Sequence, residues 1–220
     1  MSVSENLKTI QNKISAVAEK CGRDPASVNL VAVSKIQPDA KIEAALAAGH
    51  RLFGENRVQE AQQRWGHRRT QFSDLKLHLI GPLQTNKVKE AVALFDVIET
   101  VDREKLARAL SDEMKKQNRA LECLLQVNTG DEEQKAGIEI SALPAFYDFC
   151  TQDCGLNIIG LMCIPPVDEP PALHFALLNK HAAALGLKQL SMGMSADFEK
   201  AIPLGATYVR VGTGIFGERG

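Results

Sequence analysis

The chain lacks a charge excess, a long apolar run and all but a few aromatic residues. Its 220 residues set 26 Lys and Arg against 27 Asp and Glu, a formal net charge of -1. No bulk field therefore draws it toward nucleic acid or an anionic membrane, and neither is an expected partner. No apolar stretch approaches the roughly 20 residues that a membrane span needs. The first 21 residues alternate charged and apolar side chains and lack a signal-peptide core, so the cytoplasm is the expected location. Cysteine is odd in number: Cys21, Cys123, Cys150, Cys154 and Cys163. In a chain of this length that argues against a disulfide framework. Cys150 and Cys154 lie one helical turn apart, yet no His or Cys beside them completes a zinc set, and no metal site is expected. Buried or half-buried reduced thiols are the expectation. Tyrosine occurs only at Tyr147 and Tyr208, a scarcity that bears on the chemistry below.

What is present is a regular alternation. Ser2-Val3-Ser4-Glu5 fits a capping box. Leu7, Ile10, Ile14, Val17, Ala18 and Cys21 then repeat at helical spacing until Gly22 stops the helix. Strands follow at residues 28–34, 50–54, 75–80, 95–101, 121–127, 157–162, 187–191 and 206–210. Helices are expected at 39–48, 56–65, 84–94, from a cap at Asp102 to 118, at 141–154, to 185, and at 195–204, with a short final turn from Thr213. Strands of near-continuous Val, Ile and Leu, each covered by a helix, indicate a parallel sheet. Eight such units fit an α/β fold, a single (β/α)8 barrel of the TIM type with an extra N-terminal helix, one domain over residues 1–220. The alternative, a doubly wound open sheet, would be wide at eight strands, and no Gly-x-Gly-x-x-Gly follows the first strand. Residues 128–140 are the longest irregular stretch and a functional-loop candidate.

In such barrels the active site lies at the C-terminal ends of the strands. That rule brings together Lys35 after the first strand, Asn56 after the second, His78 in the third, Met162 in the sixth, Ser191-Met192-Gly193-Met194-Ser195 after the seventh and Arg210 in the eighth. The first and last strands are neighbours, so Lys35 and Arg210 can face one ligand. Gly193 to Ser195 and Gly212-Thr213-Gly214 are tight turns leading into helix N-termini, where aligned N–H groups bind phosphate. As residues, they read equally as plain turns. Lys35 reads either as a snorkelling or ion-paired lysine or as an amine that captures an aldehyde, which desolvation favours.

Several segments resemble the pyridoxal 5′-phosphate homeostasis protein family. They are Val33-Ser34-Lys35, Phe53-Gly54-Glu55-Asn56-Arg57-Val58-Gln59-Glu60, His78-Leu79-Ile80-Gly81-Pro82-Leu83-Gln84-Thr85-Asn86-Lys87, Leu161-Met162, Ser191-Met192-Gly193-Met194-Ser195-Ala196-Asp197 and Arg210-Val211-Gly212-Thr213. They occur in the family's order over almost the whole chain. The resemblance implies a barrel similar to the N-terminal domain of alanine racemase, with pyridoxal 5′-phosphate as cofactor and no established turnover. It assigns Lys35 to the Schiff base, Ser195, Gly212 and Thr213 to the phosphate, Arg210 to the pyridine nitrogen, and Asn56 and Met192 to the neighbourhood of the ring. His78 matches a histidine at the barrel mouth; a hydrogen-bonded core histidine is the other reading. Lys135 matches a lysine linked to a second cofactor site or transfer path; a solvated loop lysine is the alternative. Cys163 would place a thiol near the aldehyde.

The resemblance leaves storage or delivery of the cofactor set against catalysis. A guanidinium at the pyridine nitrogen donates a hydrogen bond but gives up no proton, which leaves the ring a weak electron sink. A two-base racemase also needs a second proton donor. Tyr147 falls on an outer helix and Tyr208 within the last strand, and no second domain is expected to supply another. The expected function is therefore a cofactor holder, a monomer with apo-enzymes as partners. The alternatives are a small pyridoxal phosphate-dependent amino-acid racemase or a Schiff-base aldolase.

Overall fold

The computed structural model describes residues 1–130, 132 and 136–217. Helix α1 (Val3–Lys20) opens on the capping box: the Glu5 N–H donates to Ser2 Oγ at 3.2 Å, and the Ser2 N–H to Glu5 Oε2 at 2.7 Å. Its apolar stripe buries Leu7, Ile10, Ile14 and Ala18, and Gly22, at φ 73°, ends it. The strands are β1 (Asn29–Val33), β2 (Leu52–Glu55), β3 (Lys76–Leu79), β4 (Val97–Val101), β5 (Glu122–Asn128), β6 (Ile138–Glu139), β7 (Asn157–Met162), β8 (Gln189–Met194) and β9 (Tyr208–Val211). The helices between them are α2 (Asp39–Ala47), α3 (Val58–Trp65), α4 (Arg68–Gln71), α5 (Val88–Leu94), α6 (Glu104–Gln117), α7 (Leu143–Asp148), α8 (Pro171–Ala184), α9 (Phe198–Ala201) and α10 (Thr213–Phe216).

Strands β1, β2, β3, β4, β5, β7, β8 and β9 pair in that order, all parallel, and β9 returns to β1. This is the closed eight-stranded barrel that the alternation predicts. The two-residue β6 is a ninth strand beyond those expected; it pairs with the end of β5 inside the long loop. Asp102 does not cap α6: Arg103 occupies that position, and Asp102 pairs with its guanidinium. The helix expected over 141–154 is broken. It is α-helical to Asp148 and relaxes into a π-turn over 149–153. The expected 195–204 helix starts later because β8 runs on to Met194. At Gly193, φ is 89°, and an added Cβ would lie 2.7 Å from Ala201 Cβ. Only glycine lets this strand end lie against α9.

Most of the core lies between strands and helices, around Trp65, Phe53, Phe95 and Phe175. Fully burying side chains of this size contributes about 1.5–3 kcal/mol each. Inside the barrel Val97, Leu124 and Met162 form a separate small cluster. Four polar side chains, His78, Glu99, Ser191 and Arg210, are also buried in the lumen, a departure from the usual apolar filling.

Candidate functional site

Lys35 stands just past β1, half-buried. The next residue, Ile36, has φ 61°, a region that β-branched residues avoid and that costs of order 1–3 kcal/mol. The Gln37 N–H closes the turn on the Ser34 carbonyl at 3.1 Å. Beneath it, Ser34 Oγ donates to Glu55 Oε1 at 2.6 Å, and the same oxygen accepts from Arg64 Nη1 and Trp65 Nε1, both at 2.9 Å. Glu55 thus ties the Lys35 turn to the end of β2 and to α3. Asn56 follows directly. The turn after β3 presses on it through Gly81, where an added Cβ would lie 2.4 Å from the Asn56 carbonyl oxygen.

The opposite side of the mouth is built from β8, β9 and α10. Ser195 Oγ accepts from the Gly212 N–H at 3.3 Å. The first N–H groups of α10 have no carbonyl one turn earlier to take them. The N-terminal helix braces this turn: Asn6 Nδ2 donates to the Ile215 carbonyl at 2.9 Å, and an added Cβ at Gly214 would lie 3.3 Å from Ile10 Cδ1. Arg210 points into the lumen, where Nη1 donates to Ser191 Oγ at 2.6 Å and Nη2 to the Cys163 carbonyl at 2.9 Å.

These elements enclose a cavity of about 190 Å³. Lys35, Asn56, Ser195, Arg210, Gly212 and Thr213 line it, together with the apolar Val33, Ile80, Ile164 and Met194 and the amide of Gln37. Two expected site residues are elsewhere. His78 lies deep in the lumen, with Nδ1 2.6 Å from Glu99 Oε1, and reaches a cavity at the other end of the barrel. Met192 packs between barrel and helices; Met194, two residues on, meets the mouth cavity instead. The Cys163 thiol is buried and pushed up to about 12, chiefly by that burial, with nearby Arg210 opposing. It is therefore a neutral thiol outside the cavity lining. Lys135 lies outside the described residues.

The sequence gives no role to two residues of this assembly, Glu55 and Glu99, and names Ser191 only as part of the turn after the seventh strand. Each carried a signal. Glu55 sits inside the Gly-Glu-Asn motif, Glu99 is a lone carboxylate in an apolar strand, and Ser191 opens the Ser-Met-Gly-Met-Ser run. Burial pushes the Glu99 carboxyl up, but the His78 hydrogen bond and charge, Arg210 and the Ser191 hydroxyl outweigh it and hold the group below the ordinary carboxylate range.

The model of the alanine racemase N-terminal domain matches residues 6–220. The chain is 39% identical to the pyridoxal phosphate homeostasis protein of Escherichia coli K12, over 99% of this chain and 97% of that one. It is 41% identical to the protein of the same name from Pseudomonas aeruginosa, over 99% and 96%. Among solved structures it is similar to PipY of Synechococcus elongatus with pyridoxal phosphate bound, at TM-score 0.85 and 38% identity over 98% of this chain and 100% of that one.

Proposed function

Because the chain belongs to the pyridoxal phosphate homeostasis protein family, we propose that it binds pyridoxal 5′-phosphate at the barrel mouth and holds it for storage or delivery, without turnover. The observation that carries this is the donor set gathered in one cavity: an amine, a guanidinium, two hydroxyls and a helix start, facing an apolar wall. Asn56 adds to the fit, since its Oδ1 is buried without a hydrogen-bond partner at the lining of this cavity. A buried polar atom left unsatisfied costs about 1–3 kcal/mol, so a polar ligand group there is worth binding.

Bound in this cavity, the cofactor supplies an aldehyde carbon and an electron-withdrawing ring. Lys35 is the amine suited to hold the aldehyde carbon. Ser195, Thr213 and the N–H groups around Gly212 are the donors suited to the phosphate. Arg210 can donate to the pyridine nitrogen but, being permanently charged, cannot protonate it. Val33, Ile80, Ile164 and Met194 are the apolar surface for the ring.

The absence of turnover is supported by the rest of the lining. Among the described residues, Lys35 and Arg210 are the ionisable groups that line the cavity. Tyr147 lies on α7, and Tyr208 opens β9 at the far end of the barrel. Neither can serve as a second base at the mouth.

The test is to add pyridoxal phosphate, reduce with borohydride and map the adduct. A single adduct on Lys35, absent in Lys35→Ala, is expected. An adduct that persists elsewhere in that variant sinks the site. Amino-acid racemisation by the loaded protein, abolished in Lys35→Ala, sinks the holder reading and favours the racemase. Transfer of the bound cofactor to an apo-enzyme, faster than from free cofactor, separates delivery from storage.

A further inference from the structure

A chain of hydrogen bonds crosses the barrel lumen behind Arg210. Arg210 Nη1 donates to Ser191 Oγ at 2.6 Å, and Ser191 Oγ donates to Glu99 Oε2 at 2.5 Å. On the other side Glu99 Oε1 lies 2.6 Å from His78 Nδ1, and the direct Arg210 to Glu99 distance is 4.0 Å. The four residues come from β9, β8, β4 and β3, and each is at most 3% exposed. His78 ends the chain beside Tyr208, with ring centroids 5.1 Å apart, at the cavity opposite the mouth.

We propose that Glu99 is a positioning residue for the bound cofactor: through Ser191 it fixes the Arg210 guanidinium and balances its charge, while His78 holds Glu99 from behind. The inference rests on the reading of the mouth as the cofactor site. Stability alone does not account for this chain. Barrel lumens are ordinarily filled by Val, Ile and Leu, and an apolar replacement of a buried ion pair is often neutral or stabilising. What the chain does achieve is geometric and electrical. Arg210 has five N–H donors; Ser191 and the Cys163 carbonyl take two of them, which locks the plane of the guanidinium. The carboxylate behind it offsets its positive charge within the buried lumen, where a fixed charge acts more strongly than in water. A ring nitrogen facing Arg210 therefore meets an oriented donor with a reduced field. An ionised Glu99 only accepts, so His78 Nδ1 donates the hydrogen of their bond.

The test uses the full chain loaded with pyridoxal phosphate, reading the absorption spectrum of the bound cofactor and its dissociation constant at one pH. Glu99→Gln keeps the shape and removes the charge. Ser191→Ala removes the bridging hydroxyl and serves if Glu99→Gln does not fold. Both are expected to displace the absorption maximum and to weaken binding by about tenfold, equivalent to ~1.4 kcal/mol. His78→Leu is expected to do the same, and His78→Asn, which restores a donor, to return the spectrum toward that of the unsubstituted protein. Leu124→Val, also in the lumen but outside the chain, is the control and should leave the spectrum unchanged. A folded Glu99→Gln or Ser191→Ala with the original spectrum and affinity overturns the inference, as does an equal displacement in Leu124→Val. If the unsubstituted protein shows no cofactor spectrum, the reading of the mouth falls and takes this inference with it; unaltered variants of a binding protein refute the inference alone.

Discussion

The two ends of the barrel carry cavities of opposite character. The one at the N-terminal strand ends is the larger, about 600 Å³, against about 190 Å³ at the mouth. It is also rich in charge, with Arg51, Lys76, Asp96, Arg119 and Glu122 in its lining. Much of that charge already has structural work. Arg51 pairs with Asp74 at 3.0 Å and donates to the Leu46 carbonyl at 2.8 Å. Asp96 accepts from Arg69 at 2.5 Å and from the Leu77 N–H at 2.8 Å. Arg119 donates to the Val92 and Phe95 carbonyls. These contacts pin the loops that enter the strands. At the mouth, Arg210 is fixed from behind, Asn56 Oδ1 is unsatisfied, and the turns present donors outward. The proposed ligand end is thus marked by the state of its polar groups and not by its volume. The contrast fits the general division of such barrels into a stabilising end and a functional end.

The comparison predicts that substitutions at the two ends move different observables. The largest expected effect is at the mouth, where Lys35→Ala should remove the borohydride-trapped adduct completely while the melting temperature holds. Next is the opposite end. Asp96→Ala leaves Arg69 and the Leu77 N–H without their acceptor and should destabilise by about 1–3 kcal/mol, a drop of roughly 2–4 °C in melting temperature per kcal/mol at this chain length. Cofactor affinity should stay as it was, and a parallel loss of affinity would break the contrast. A smaller effect is expected for Ser195→Ala, which removes one neutral donor and should weaken binding by about three- to tenfold, near 0.5–1.5 kcal/mol. Unchanged affinity in titrations of that variant would remove Ser195 from the phosphate site.

The thiols give the smallest effects and probe both ends at once. Cys163 follows β7 beneath the mouth and Cys123 is the second residue of β5, toward the other end; burial pushes both up to about 12. Cys150 behaves the same way, while Cys21 is exposed. Iodoacetamide at mild alkaline pH should therefore label Cys21 first, and mass mapping that finds early labelling at Cys163 would show an open mouth floor. Linkage gives the sign in alkali. The folded thiols ionise later than the unfolded ones, so their contribution is fully present below the ordinary value of 9.0 and is lost as pH rises from there toward 12. Denaturant midpoints measured across that window should fall.

Much of the fold was legible along the chain because its signals are local. The capping box at Ser2, the stop at Gly22 and the switch between apolar strand runs and helical spacing each involve residues within a few positions of one another. The boundaries that moved had tertiary causes. β8 extends to Met194 because Gly193 lets it lie on α9, and Arg103 takes the cap because Asp102 is engaged in pairing with it. That Lys35, Asn56, Ser195, Arg210, Gly212 and Thr213 meet in one cavity was legible because they follow or end strands, where the barrel rule applies. Glu55 and Glu99 were not, because their meaning lies in partners. Glu55 accepts from three side chains on two other segments, and Glu99 from a serine 92 positions away.

By itself, the amino-acid sequence determined the order of strands and helices, a parallel sheet and the set of residues at the strand ends, since periodicity, turns and βα chirality suffice for those; closure was settled by the pairing of β9 with β1. Only the tertiary structure decided facing and depth. Neighbours on a strand point to opposite sides, so Ser191 enters the lumen and bonds Glu99 while Met192 packs under the helices. His78, expected at the mouth, sits low enough to reach the opposite cavity. Strand identity is written in local pattern; which side chains meet across a closed lumen depends on register and tilt summed around all eight strands.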